Sequence, residues 1–408
     1  MRPTQIRWRM AFLIATTLSV LGASGALGEE RLDATFSGDG TRQVSFVASG
    51  EDQAYDVATT LDDRVVVAGA AGGAMSVARL KVGGGLDGSF SSDGKLLVDL
   101  GGDDIAFAVA RQGERLLLAG VKDGRAAVVR VRANGSLDGS FSGDGIRTQS
   151  IASHTPVAWT VVADGGSGRV DAAGYAFAGG SLQRAVVVRY RADGTLDETF
   201  SSDGIRLLPA ADDRFVVDLA PQGKGRLLVL VRGSVSGSAL LRLLPDGALD
   251  PAFGGGDGTV NLPSGSRPVA LAVRAGRIVL LAHEGGVPVL RRYLLAGNLD
   301  GAFGGGDGHL AIVDEQIGDT SPLDVAIQPG GAIVVAAANG DLQAFRVTSA
   351  GVLDGTFNGT IPVVELGGAG DDEIAGIAVD GLGRIVLAGT LELGAGQADP
   401  FIARMVAD

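Results

Sequence analysis

The sequence predicts an all-β fold, a seven-bladed β-propeller of four-stranded blades, closed by pairing the N-terminal strand with the C-terminal blade. Three observations predict it. First, a motif, Leu-Asp-x-x-Phe-(Ser/Gly)-x-Asp-Gly, stands at Leu32–Gly40, Leu86–Gly94, Leu137–Gly145 and Leu196–Gly204. It returns one residue longer at Leu249–Gly258 and Leu299–Gly308, and degraded at Leu353–Gly359. Second, its first aspartates (Asp33, Asp87, Asp138, Asp197, Asp250, Asp300 and Asp354) lie 50 to 59 residues apart, the length of a four-stranded blade. Third, each period holds four short apolar runs bounded by Gly and Asp, and none carries the 3.6-residue periodicity of a helix.

The elements follow in chain order. Residues 1–28 read as a secretory signal peptide: Arg2, Arg7 and Arg9 precede the apolar stretch Met10–Leu21, with small residues at Ala26 and Gly28 for cleavage. That stretch is shorter than the roughly 20 residues of a spanning helix. With no Cys for a lipid anchor and no Arg-Arg pair ahead of it, the expectation is Sec-type export to the periplasm or beyond. Residues 29–408 are expected to form one domain of seven repeats of about 54 residues, with no later transmembrane segment.

After the first motif copy comes a lone strand, Thr41–Val47. The first full unit offers Tyr55–Thr60, Arg64–Gly69, Met75–Lys81 and Lys95–Leu100, and the second Ile105–Arg111, Arg115–Gly120, Ala126–Val131 and Ile146–Ile151. Hairpin turns such as Asp62-Asp63, Gln112-Gly113 and Asp380-Gly381 separate first from second strands. First strands are rich in small residues (Ala106, Ala108, Ala110, Ala270, Ala272), which suits the crowded position nearest the axis. The last unit supplies only three strands, Glu373–Val379, Arg384–Gly389 and Phe401–Val406. The lone N-terminal strand supplies its fourth, which removes the open sheet edges of an unclosed array.

The motif falls between third and fourth strands and reads as a turn: Asp accepts backbone amides, Leu and Phe pack inward, and the closing Asp-Gly opens the fourth strand. It lacks the alternating carboxylates of a calcium loop. The motif, followed by a strand, an acidic turn, a small-residue strand and an Arg-Ile-Val-x-Ala-Gly strand, resembles the delta-60 repeat family of bacterial proteins. Gly84–Gly120 and Gly194–Leu230 carry the resemblance, with Arg384–Gly389 a further match to the second strand. The resemblance implies an exported propeller-like protein and brings no activity, cofactor or catalytic residue. The extra glycine in Gly254–Gly256 and Gly304–Gly306, and Asn358-Gly359, depart from the pattern at the third-to-fourth-strand turn.

The whole chain carries a net charge of −13. Without residues 1–28 it has 31 basic against 47 acidic residues, a net −16, which disfavours nucleic acid as a partner. There is no Cys, and His154, His283 and His309 lack metal-ligand spacing. The single Trp after residue 28, Trp159, lies in a first strand and reads as packing. Acidic clusters recur just before first strands: Glu51-Asp52, Asp103-Asp104, Asp212-Asp213, Asp314-Glu315 and Asp371-Asp372-Glu373. These loops ring the mouth of a propeller channel, and the expectation is a negative funnel for a cationic ligand, a protein or a glycan. Asp56, Asp218 and Asp324 occupy matching positions in three first strands; if they face the channel, they are the metal candidates.

Two functions follow from different classes. The first is an exported, non-enzymatic, monomeric binding or scaffold module with no cofactor. The second is a calcium-dependent, lactonase-like hydrolase with its site in the central channel.

Overall fold

The computed structural model describes residues 32–407 apart from 49, 152–153, 164–166, 179–181, 209–212, 234–236, 313–320, 339–341, 358–362, 365–372 and 395. Residues 1–28, expected from the sequence to be a signal peptide, lie outside them. The described residues form seven antiparallel four-stranded sheets and no helix, so none is long and apolar enough to cross a membrane.

The first strand, β1 (Thr41–Gln43), belongs to the last blade. Blade 1 is β2 (Gln53–Thr59), β3 (Val65–Ala71), β4 (Ala74–Leu80) and β5 (Lys95–Val98). Blade 2 is β6 (Asp104–Gln112), β7 (Arg115–Lys122), β8 (Arg125–Val131) and β9 (Ile146–Gln149). Blade 3 is β10 (His154–Ala163), β11 (Val170–Ala178), β12 (Leu182–Tyr190) and β13 (Ile205–Leu207). Blade 4 is β14 (Phe215–Pro221), β15 (Leu227–Arg232), β16 (Ala239–Leu243) and β17 (Thr259–Asn261). Blade 5 is β18 (Arg267–Arg274), β19 (Arg277–Glu284), β20 (Val287–Leu294) and β21 (His309–Ala311). Blade 6 is β22 (Ser321–Ile327), β23 (Ile333–Ala338), β24 (Leu342–Val347) and β25 (Val363–Val364). Blade 7 is β26 (Glu373–Val379), β27 (Ile385–Gly394) and β28 (Gln397–Met405), completed by β1.

In six sheets the strands lie in chain order, in the seventh β1 lies outside β28, and first strands of neighbouring blades pack against one another around the axis. Middle strands such as β3 and β4 are buried on both faces, which is why they read as continuous apolar runs. The core therefore sits between blades: Val66, Met75, Val77 and Phe90 of blade 1 pack with Leu116, Leu118 and Val129 of blade 2. Closure is as expected. Thr41, Arg42 and Gln43 pair with Ala403, Ile402 and Phe401, and Leu32 bridges to Met405.

The motif builds a turn that also joins blades. Its Leu bridges to the end of the third strand, as Leu86 does to Leu80. Asp87 Oδ1 accepts the Ser89 amide and hydroxyl, and Asp87 Oδ2 accepts Arg79 Nε at 2.8 Å. The Arg79 guanidinium lies over the Phe90 ring, 4.8 Å from its centroid, and donates across the seam to Ala133 O of blade 2. The equivalent arginines, Arg130, Arg189, Arg242, Arg292, Arg346 and Arg404, stack on Phe141, Phe200, Phe253, Phe303, Phe357 and Phe36. Each donates to a carbonyl of the next blade's turn, ending with Arg404 to Val82 O across the closing seam. The motif is a structural latch. Blade 3 varies it: Arg189 pairs with Asp171 of β11, and Asp197 is met by Arg191 at 3.7 Å.

The second motif Asp is exposed and accepts the amide two residues on, as Asp93 does from Lys95, to open the fourth strand. The closing Gly is obligatory. Gly94 has φ +89°, and a Cβ there would stand 2.8 Å from Asp87 N and 2.9 Å from Leu86 Cβ. Gly94→Ala is expected to cost about 2–4 kcal/mol, combining left-handed backbone strain with a contact against backbone that cannot yield. Urea denaturation checks this; a midpoint equal to wild type would show that the turn relaxes.

Candidate functional site

Each described first strand carries a β-bulge near its start, with register shifts at Ala54/Asp56, Ala106/Ala108, Ala158/Thr160, Val216/Asp218, Pro268/Ala270, Pro322/Asp324 and Ile374/Gly376. A bulge inserts an unpaired residue and re-aims the next side chain. The residues after it form a ring around the axis: Asp56, Ala108, Thr160, Asp218, Ala270, Asp324 and Gly376.

The second strand is shaped to admit the bulge. A Cβ on Gly69 would stand 1.7 Å from Gln53 O, and one on Gly120 would stand 1.8 Å from Ile105 O. The Ala-Gly at the end of these second strands is the space the bulge needs.

The structure brings Asp56, Asp218 and Asp324 together on the axis. Each is partly accessible yet enclosed by protein, as expected for groups on a narrow channel. Each spans a seam. Asp56 Oδ1 accepts Val57 N at 2.7 Å, and its Oδ2 accepts Val109 N of blade 2 at 2.8 Å. Asp218 accepts Leu219 N at 2.7 Å and Leu271 N of blade 5 at 2.8 Å, with a further hydrogen bond from Thr160. Asp324 accepts Val325 N at 2.7 Å and Ile377 N of blade 7 at 3.0 Å. The next blade always offers a small residue beside that amide. Gly376 is the extreme case: a Cβ there would lie 3.2 Å from Asp56 Oδ1 and 3.3 Å from Asp324 Oδ2.

Burial pushes Asp56 up to about 8, Asp218 to about 7 and Asp324 to about 6. Repulsion from Asp324 adds to the rise of Asp56 and Asp218, and repulsion from Asp218 adds to that of Asp56, while the accepted amides oppose all three shifts. Among the described residues no three His, Asp or Glu side chains group closely enough to hold one metal ion.

The acidic loops divide. Glu51 and Asp103 are exposed at the channel end. Asp52 and Asp104 differ from the expected mouth-facing role, because both are buried. Asp52 Oδ2 accepts the amides of Phe46 and Val47, and Asp104 Oδ2 accepts that of Leu100. They hold the loop that enters the first strand, and burial pushes Asp104 up. Asp213 is half-buried and partnered. Asp212, Asp314, Glu315, Asp371 and Asp372 lie outside the described residues, as do the side chains of His154 and Trp159. His309 opens β21 with Nδ1 3.2 Å from Asp307 Oδ1.

With this geometry in hand, the chain can be set beside known proteins. Two segments, residues 166–200 and 225–253, match a family model described as a domain of unknown function (DUF5122) beta-propeller. No curated protein sequence matches. Among solved structures, YCF48 bound to D1 peptide superposes with a TM-score of 0.52 at 13% identity, over 90% of this chain and 94% of that one. The Cps50 (Swd1) β-propeller domain of Myceliophteria thermophila gives 0.50 at 12%, over 89% and 99%. The PQQ-bound aldose sugar dehydrogenase of Streptomyces coelicolor gives 0.44 at 13%, over 90% and 97%. At these identities the likeness is one of fold.

Proposed function

We propose that this β-propeller repeat protein is an exported, non-enzymatic binding or scaffold module. Its repeats are those of the delta-60 family, its signal peptide is residues 1–28, and its ligand is cationic and meets the acidic end of the channel. One observation carries this reading: the described polar side chains on the axis hold blades to one another. Asp56, Asp218 and Asp324 each accept two amides, one from the next blade, and so serve as clasps. A lactonase-like site needs carboxylates free to converge on one ion, and these three reach from separate blades already engaged. What remains for recognition at that end are exposed carboxylates, Glu51 and Asp103 among them, on a chain of net charge −13.

The test uses decalysine as probe. It should bind the wild type at low ionic strength and bind roughly tenfold more weakly at physiological salt. The Glu51→Gln/Asp103→Asn double variant should weaken binding further. A control removing equal charge from the opposite end, Glu114→Gln/Glu198→Gln, should change it little; both residues are exposed there. Equal weakening by both pairs, or no binding at low salt, would remove the acidic end from consideration.

A further inference from the structure

At the end opposite the acidic loops, the seam between blades 5 and 6 holds a groove of about 300 Å³. Its wall carries three guanidiniums, Arg274, Arg277 and Arg292, beside the apolar Val279, Ile327 and Ile333. One carboxylate meets two of them: Asp300 Oδ2 receives Arg277 Nε at 2.7 Å and Arg292 Nε at 2.9 Å. Arg274 is exposed and makes a long bond, 3.4 Å, to Ile327 O.

Three other seams carry a different side chain at the position of Arg274. At the 2/3 seam Gln112 occupies the first position of the hairpin between first and second strands. Its Oε1 accepts Arg130 Nη1 and its Nε2 donates to Gly168 O. At the 4/5 seam Gln222 does the same between Arg242 Nη1 and Leu295 O. At the 6/7 seam Gln328 donates to Gly383 O. In blade 5 the residue at this position is Arg274. A guanidinium has five donors and no acceptor, so it cannot replace the glutamine oxygen that meets the latch arginine. The seam thus exchanges an acceptor for a third cation.

We propose that this groove binds an organic carboxylate bearing a short apolar chain. The planar carboxylate matches the guanidinium fork and supplies the acceptor that Arg274 cannot. The chain lies against Ile327 and its apolar neighbours, in a space at the small end of ligand pockets. The site is independent of the acidic end, so either can fail alone.

Hexanoate, acetate and inorganic phosphate are the probes, titrated against the whole protein by saturation-transfer NMR. Hexanoate is expected to bind saturably and at least about tenfold tighter than acetate, since the added methylenes leave water. It should also bind tighter than phosphate. Arg274→Gln installs the side chain that closes the 2/3, 4/5 and 6/7 seams; it should keep the melting temperature and weaken hexanoate at least about tenfold. The proposal is overturned if hexanoate does not saturate, if acetate or phosphate binds as well, or if the folded Arg274→Gln protein binds hexanoate like the wild type.

Discussion

Arg404→Leu is expected to destabilise the protein by about 3–5 kcal/mol, because it leaves the buried Asp33 carboxylate with only the more distant Arg384, 3.8 Å away, as a cation. For a chain of this size that corresponds to a fall in melting temperature of about 4–6 °C. Arg404 is fully buried, donates from Nε to Asp33 Oδ2 at 2.9 Å, stacks on Phe36 and reaches Val82 O of blade 1. Every one of those partners lies in the N-terminal part of the chain, so the contacts are lost as soon as the ring opens. Arg242, by contrast, meets Asp250 and Phe253 a few residues away on its own blade. Arg242→Leu should therefore lower stability without loosening closure, whereas Arg404→Leu should also speed hydrogen exchange in β1. Adding Asp33→Asn to Arg404→Leu should recover at least half of the lost stability, since no charge is then stranded. If Arg404→Leu melts with the wild type, closure does not depend on the Arg404–Asp33 pair.

The latch was within reach of the sequence. An arginine stands eight residues before the motif Asp at Arg79, Arg130, Arg189, Arg242, Arg292 and Arg346, and Arg404 is the copy that serves Asp33 from the other terminus. The motif marked the turn and the period, and the closure by β1 followed because the strand after the first motif copy takes the fourth-strand place that the last blade lacks. It did not reveal that each turn also clasps its neighbour, because Arg189 takes Asp171 and Arg404 takes a carboxylate at the far end of the chain.

The channel site was half legible. Asp56, Asp218 and Asp324 aligned by position, and their orientation into the axis follows from bulges at Tyr55, Val217 and Leu323, of which only the first is marked by a glycine, Gly69, in the facing strand. Asp52 and Asp104 depart from the mouth-facing expectation for a related reason. A pair of acids before a strand looks uniform in sequence, yet in blades 1 and 2 the second of each pair turns inward to hold loop amides. At the 5/6 seam Arg274 stands where Gln112, Gln222 and Gln328 bridge other seams, a difference that comparison of the folded seams makes visible.

The pH dependence of stability should carry opposite limbs. In the latches, burial raises the motif carboxylates, but Ser or Thr hydrogen bonds and the arginine outweigh it, so Asp33, Asp87, Asp138 and Asp354 are lowered below 3.8. Their stabilisation is present above the unfolded value and is lost as pH falls through the folded one. The channel carboxylates do the reverse. With folded values of about 8, 7 and 6 for Asp56, Asp218 and Asp324, the native state holds protons between pH 4 and 8 that the unfolded chain has released. For each such proton, stability falls by about 1.4 kcal/mol per pH unit as pH rises, until the folded group ionises. Burial is the leading cause of all three shifts; beside it act Asp324 on Asp56 and Asp218, Asp218 on Asp56, Thr160 on Asp218, and the backbone amides on each. Stability is therefore expected to peak near pH 4–5, decline toward pH 8 and level above it. Asp56→Asn should flatten the upper part of that decline, because it removes the last group to ionise, while costing stability at acidic pH through the amide of Val109 that an NH₂ cannot satisfy. Urea midpoints from pH 4 to 9 decide the matter. A wild-type midpoint that rises toward pH 8, or an Asp56→Asn profile parallel to the wild type, would mean that the three carboxylates are ionised throughout and that solvent in the channel screens them.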